Sequence, residues 1–257
     1  MSENGKLPRV DVIIHPVCLR FRYDKDEIVY MFAGNADQQL DGMETMLGIE
    51  PSQGPIFDSN LGFLPVASTI LIRGEKTLVV DPGNHHIGAY SMLRRALASR
   101  GLSYDDVDAV VTTHGHSDHA AAIVQLRGKP WILGKGEFTE MEAIEGKAII
   151  DAKKSMMGLV TEIGGDEPVE IMAGVLAVRT PGHTAGHISL VVETEDGRVL
   201  IAGDQTMTRS EYEDRRFSQW YGAPQLEQLN ASLDKVMAFE PHLVIPGHDR
   251  PFRPRNA

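Results

Sequence analysis

A single cysteine, Cys18, is all the thiol this chain has. An intramolecular disulfide and a cysteine-rich zinc knuckle are therefore excluded. No apolar run approaches the roughly 20 residues that cross a bilayer, and the polar start MSENGKLPRV has no hydrophobic signal core. The expectation is a soluble, cytoplasmic chain with no membrane partner. Basic residues are also scarce: 25 Lys+Arg stand against 36 Asp+Glu, a formal net charge of -11. Phosphate backbones need clustered Lys and Arg, so nucleic acid is a disfavoured partner, although a local basic groove is compatible with this balance. Low-complexity segments and solenoid repeats are missing too.

What is present is ordinary for a globular protein: 257 residues, 42% apolar and 24% charged. Short β-branched runs predict strands over 10–14, 27–32, 68–73, 77–80, 130–133, 169–172, 175–180, 187–192, 199–202 and 242–245. Gly74-Glu75 and Glu195-Asp196-Gly197 predict hairpins. Helical spacing of Ala89, Met92, Leu93, Ala96 and Leu97, stopped by Gly101, predicts one helix. A second is predicted over 137–146, and a third from Leu226, Leu229, Leu233, Val236 and Met237. Residues 147–166 carry no decisive pattern. Two long stretches, 33–64 and 205–223, interrupt the rhythm and are candidate substrate or dimer loops, which makes a homodimer conceivable. The whole, residues 1–257, is expected to be a single α/β domain.

The densest chemistry lies in Thr113-His114-Gly115-His116-Ser117-Asp118-His119, between an apolar run and an Ala-rich helix start. An extended backbone would point positions 114, 116 and 118 to one side, so His114, His116 and Asp118 are expected to converge. His119, at the turn into the helix, then points elsewhere and suits a second metal. Two ions sharing one activated water use so many ligands naturally, whereas one ion would be closed by them. Further ligands should come from strand ends. His183 and His248 each follow a Pro-Gly, and Asp204 follows Gly203, where its carboxylate is placed to bridge.

The set HGHSDH, PGH at 181–183, GD at 203–204 and PGH at 246–248, with DPG at 81–83 upstream, resembles the metallo-β-lactamase superfamily from about Ser68 to Phe252. The resemblance implies an αββα sandwich, two mixed sheets flanked by helices, with a dinuclear site at one sheet edge. It implies that His114, His116 and His183 hold one metal, that Asp118, His119 and His248 hold the other, and that Asp204 bridges them. The implied cofactor is two zinc ions, with iron or manganese as alternatives. Asp81 takes the place of a family carboxylate that orients the ligand loop; read from residues alone it is equally a strand-end turn. His187 reads as a turn or supporting group, and His85 and His86 as loop histidines.

The implied activity is a zinc-dependent hydrolase in which water activated by the metal pair attacks a small-molecule acyl carbonyl, with Asp118 moving the proton. Lactone or ester is favoured over thioester and β-lactam. Asp204 is unlike the cysteine of the penicillin-cleaving subclass and resembles the bridging aspartate of glyoxalase II, acyl-homoserine lactonases and the RNA-processing branch. The match is imperfect: Met207 stands where many lactonases carry tyrosine, and the stretch after His248 is too short for the helical domain of glyoxalase II. Met207, Tyr212, Phe217, Trp220 and Tyr221 are the candidate substrate contacts. One alternative is a two-metal phosphodiesterase or ribonuclease with Arg209, Arg215, Arg216, Arg250, Arg253 and Arg255 as a phosphate rim. The other is a metal-free binding scaffold, which the intact ligand positions disfavour.

Overall fold

Ile70, Leu71 and Ile72 are all buried, as are Leu78, Val79 and Val80. Strands this apolar on both faces need a cover on each side, and that requirement dictates a layered molecule. The computed structural model describes residues 7–24, 27–34, 61–83, 89–218 and 221–255.

After β1 (Arg9–Ile14), the strands β2 (Val17–Asp24), β3 (Glu27–Gly34) and β4 (Leu61–Val66) form a small antiparallel sheet in the order β3-β2-β4. The chain then returns to β1. Strand β5 (Thr69–Arg73) pairs antiparallel with it, and β6 (Thr77–Val80) pairs antiparallel with β5. Next come β7 (Ala109–Val111), β8 (Trp131–Gly134) and β9 (Val160–Ile163), each parallel to its predecessor, completing the order β1-β5-β6-β7-β8-β9. A second sheet is an antiparallel meander of β10 (Val169–Met172), β11 (Val175–Arg179), β12 (Ile188–Thr194) and β13 (Gly197–Gly203). Strand β14 (Leu243–Pro246) closes it, parallel to β13. Both large sheets are mixed, as the sandwich expectation requires.

Six α-helices cover these sheets among the described residues: α1 (Ala89–Ala98), α2 (Ser117–Ala120), continued by a 3-10 turn over Ala121–Gln125, α3 (Glu137–Glu145), α4 (Lys147–Met156), α5 (Arg209–Asp214) and α6 (Ala223–Met237). Alternate side chains sort the core into layers. Ile70, Ile72, Leu78 and Val80 meet Ala177, Leu190, Val192 and Ile201 between the sheets. Leu71, Val79 and Val110 point the other way, onto Leu93, Leu97, Phe138, Met141 and Ile150. On the far side Val191, Leu200 and Val244 meet Leu233 and Val236 of α6. Each large aliphatic side chain so buried contributes about 1.5–3 kcal/mol.

Two expectations need correction, and one stretch without a decisive pattern is filled. Strand β4 occupies the end of the stretch 33–64, whose residues 35–60 lie outside the described ones. Helix α4 and strand β9 fill most of 147–166, which showed no decisive pattern. Helix α5 interrupts 205–223, capped at its start by the Thr208 hydroxyl, which accepts from the Glu211 backbone N–H at 3.3 Å. The strands that matter for chemistry are β6, β7, β11, β13 and β14. Their carboxyl ends release Asp81, the 112–119 turn, the 180–187 loop, Asp204 and His248 towards one another, the usual place for a site in a sheet with parallel strands.

Candidate metal centre

The turn after β7 is held before it bends. Asp81 Oδ1 accepts the Thr113 backbone N–H at 2.7 Å, and Asp81 Oδ2 accepts the Thr113 hydroxyl at 2.8 Å. The backbone is still extended at His116, but α2 begins at Ser117. This overturns the expectation that an extended run would bring His114, His116 and Asp118 together as one set. The helical turn instead swings Asp118 round with His119. Ligand atoms of His114, His116 and His183 lie within 4.8 Å of one another, and so do those of Asp118, His119 and His248.

Asp204 sits between these two groups. Its Oδ2 is 3.4 Å from His183 Nε2, 4.0 Å from His114 Nε2 and 3.3 Å from His248 Nε2. Its Oδ1 is 3.2 Å from His119 Nε2. Across the groups' own interiors, His183 Nε2 faces His116 Nδ1 at 3.0 Å, and His248 Nε2 lies 3.3 Å from Asp118 Oδ2 and 3.4 Å from His119 Nε2.

The remaining ring nitrogens show how these histidines are oriented. His119 Nδ1 donates to Asp81 Oδ2 at 2.9 Å, His114 Nδ1 meets Thr113 Oγ1 at 3.2 Å, and His183 Nδ1 meets the Tyr221 hydroxyl at 2.6 Å. In each case Nε2 is left facing the cluster. His187 supports the cluster from behind. Its Nε2 accepts the backbone N–H groups of Asp204 at 3.1 Å and Gln205 at 3.2 Å. Its Nδ1 proton must then go to Thr180 Oγ1 at 2.8 Å, which donates to Ser189 Oγ, which donates to the Ala202 carbonyl. Of the two readings of His187, a turn residue or a supporting group, these bonds fit the second.

Sequence reasoning missed Glu137, a fully buried carboxylate at the start of α3. It accepts the Gly115 N–H at 2.7 Å and the Thr184 hydroxyl at 2.5 Å, and so touches the loops on either side of it. A glutamate opening a helix looks like ordinary helix polarity in a sequence, so no local signal marks it.

Charge divides the cluster. Burial lowers His183 to about 4, with Asp204 opposing, and it lowers His116 and, further, His114. Burial also pulls on His248, but Asp204 and a hydrogen bond to Asp118 prevail and raise it to about 10. His119 is raised in the same way by Asp204, Asp118 and Asp81 against burial. Burial pushes Asp118 up, yet His119 and His248 hold it at about 2; Asp204, between the same histidines, lies well below the usual carboxylate range.

The donor set fits metal ions. His114 Nε2 and Asp204 Oδ1 are buried without a hydrogen-bond partner, an arrangement that costs about 1–3 kcal/mol per group unless something else satisfies them. Bare imidazole nitrogens and carboxylate oxygens are what a cation wants. Gly247 keeps the space open, since a Cβ there would stand 1.9 Å from Asp204 Oδ1.

The other candidate residues spread out. Tyr212 is buried against Phe252, and Phe217 packs on the cluster under α6. The Met207 carbonyl accepts the His248 N–H at 3.0 Å, so its backbone supports the second histidine loop. Trp220, His85 and His86 lie outside the described residues. Arg209 pairs with Glu213, Arg215 with Asp234, and Arg255 with both Glu213 and Asp214. No described helix is long and apolar enough to cross a membrane.

Known proteins resemble this chain in sequence and in fold. Among curated proteins the chain is 28% identical over 178 residues to the probable metallo-hydrolase YflN of Bacillus subtilis, covering 58% of this chain and 66% of that protein. It is 29% identical over 151 residues to an N-acyl homoserine lactonase of Bacillus cereus, covering 58% of each. The chain thus spans a little under two-thirds of the length of these relatives. Among solved structures, a quorum-quenching N-acyl homoserine lactone lactonase superposes with a TM-score of 0.64 at 21% identity, over 97% of this chain and 94% of that one, a likeness of fold. The sequence profile of the metallo-beta-lactamase superfamily matches residues 61–248, and the chain belongs to that superfamily.

Proposed function

We propose that this chain is a dinuclear metal-dependent hydrolase that attacks the acyl carbonyl of a small molecule, with lactones and esters as its first substrates. One observation carries the reading: the Asp204 carboxylate stands between two histidine sets, with an oxygen near members of each. Five imidazoles against two carboxylates favour zinc over harder cations. A zinc pair in this place would lower the pKa of water from 15.7 to about 7 and polarise a carbonyl. The protein's own groups do the rest. Asp118, whose side chain is 13% exposed, stays ionised and sits where it accepts a proton and returns it to the leaving oxygen. Asp81, Tyr221 and His187 keep the imidazoles and the bridging carboxylate in register.

The acyl reading ranks ahead of phosphodiester cleavage because Arg209, Arg215 and Arg255, three members of the possible phosphate rim, are already paired with carboxylates. The lactonase among the relatives supports the same order. The test is a panel of lactone, aryl ester, β-lactam and RNA substrates on one zinc-loaded preparation, with elemental analysis of the protein as purified. Lactone or ester turnover should disappear on chelation and in H116A and D204A, both still folded. Turnover that survives metal depletion ends the proposal. RNA cleavage with a steep salt dependence and no acyl turnover moves the chain to the nuclease reading.

A further inference from the structure

Two loops, the 112–119 turn after β7 and the 180–187 loop after β11, deliver the His114/His116/His183 group. Glu137 lies between them. Its Oε2 accepts from the backbone N–H of Gly115, the residue between His114 and His116, at 2.7 Å. Its Oε1 accepts from the hydroxyl of Thr184, next to His183, at 2.5 Å. The Gly186 backbone N–H is a further donor to the same carboxylate. The fit is tight on both flanks. A Cβ on Gly186 would stand 2.5 Å from Glu137 Oε1, and one on Gly115 would stand 2.3 Å from Met141 Cγ and 3.2 Å from Glu137 Oε2.

Arg179 grips the second loop by its carbonyls, donating to Gly186 O at 2.6 Å and Ala185 O at 2.8 Å, and also to Lys135 O, in the turn before α3, at 3.1 Å. The loop is therefore fixed through its carbonyls by a guanidinium and through its donors by a carboxylate. The other group is oriented by a different acid: Asp81 reaches His119 and Thr113, and no described hydrogen bond joins Glu137 to Asp118, His119 or His248.

We propose that Glu137 is a positioning residue for one half of the centre: by bonding Gly115 and Thr184 together it sets the distance between the His114/His116 turn and His183, and so the metal affinity of that half alone. This rests on the dinuclear reading above. A helix-capping or merely structural glutamate would affect both halves alike, and that difference is measurable.

The experiment uses cobalt(II) as the probe, read by its absorption spectrum and by chelator competition. H248A leaves the His114/His116/His183 half intact, and H116A leaves the Asp118/His119/His248 half intact. E137Q, which places an amide donor against N–H and O–H donors, should weaken cobalt binding in the H248A background by about 10-fold or more and shift its spectrum. In the H116A background it should change neither. If E137Q is poorly folded, T184V, which removes only the hydroxyl bond to Oε1, should weaken the same half. Equal losses in both backgrounds, or no loss in either, overturn the proposal. A wild-type protein that binds no cobalt fails earlier, at the metal-centre reading itself.

Discussion

Asp81 Oδ2 accepts His119 Nδ1 at 2.9 Å while the same carboxylate receives the Thr113 N–H and hydroxyl. One side chain thus fixes both where the ligand turn leaves β7 and which nitrogen of His119 faces the cluster. Asp81 has a left-handed backbone, φ 51°, which asparagine tolerates as well as aspartate. D81N therefore isolates the carboxylate. Its amide must face a donor, so the variant should lose about 1–3 kcal/mol of stability. Metal affinity should fall about 10- to 100-fold, in the His119 half first. Denaturant unfolding and chelator competition check the two numbers separately.

The same residue shows why the clustered histidines and aspartates are more readily read from sequence than the groups that support them. A ligand histidine announces itself by company: HGHSDH is improbable unless something draws four such side chains together. The supports are assembled by topology. Glu137 reaches Gly115 and Thr184 only because β8 lies beside β7 in one sheet and β11 packs across in the other. The alternation Leu19, Phe21, Tyr23 against Arg20, Arg22, Asp24 carries the period of a one-faced strand, and β2 was legible there. The strands expected from the sequence do not include 17–24. The grouping of Asp118 differs from an extended reading because the helix begins at Ser117, two residues before His119, and a change of period changes which way a side chain points.

Two tyrosines that look alike in the sequence should behave differently. The Tyr221 hydroxyl meets His183 Nδ1 at 2.6 Å, whereas Tyr212 packs on Phe252 within the layer under α6. Burial raises the Tyr212 phenol to about 12, so it stays neutral at any working pH. Y221F should leave stability within about 1 kcal/mol and weaken metal binding at the His183 half about 10-fold. Y212F should leave metal affinity unchanged. Cobalt titration of the two variants side by side is the measurement, and equal affinities would show that the His183 contact has no influence.

His187 gives a pH prediction with a defined sign. It accepts two backbone N–H groups on Nε2, so protonation would put a donor against donors. Burial, aided by His183, holds it well below the ordinary value of 6.5. The unfolded chain therefore takes up a proton below about pH 6.5 that the folded chain refuses, and the stabilisation present above that pH is lost as pH falls. H187Q keeps an acceptor and cannot titrate. In metal-free protein, the stability of wild type relative to H187Q should decline by about 2 kcal/mol between pH 6.5 and 5. A difference that stays flat over that range would mean that His187 is charged in the folded state.

Two glycines separate the centre from the fold that carries it. A Cβ on Gly247 would lie 1.9 Å from Asp204 Oδ1, the end of a short side chain that rotates away, with Gly203 O next at 3.1 Å. A Cβ on Gly83 would lie 1.5 Å from Asp118 O and 2.0 Å from Asp118 C, which are backbone atoms of the ligand helix and cannot turn aside. G247A should therefore keep its fold, losing at most about 1 kcal/mol, yet lose metal binding because the Asp204 carboxylate is displaced. G83A must push α2 bodily off the sheet edge, so stability should fall by about 3 kcal/mol or more and metal binding should fail as a consequence. Thermal melts of the metal-free proteins distinguish the two. If G247A binds metal as wild type does, Asp204 does not hold the centre together from the position it occupies here.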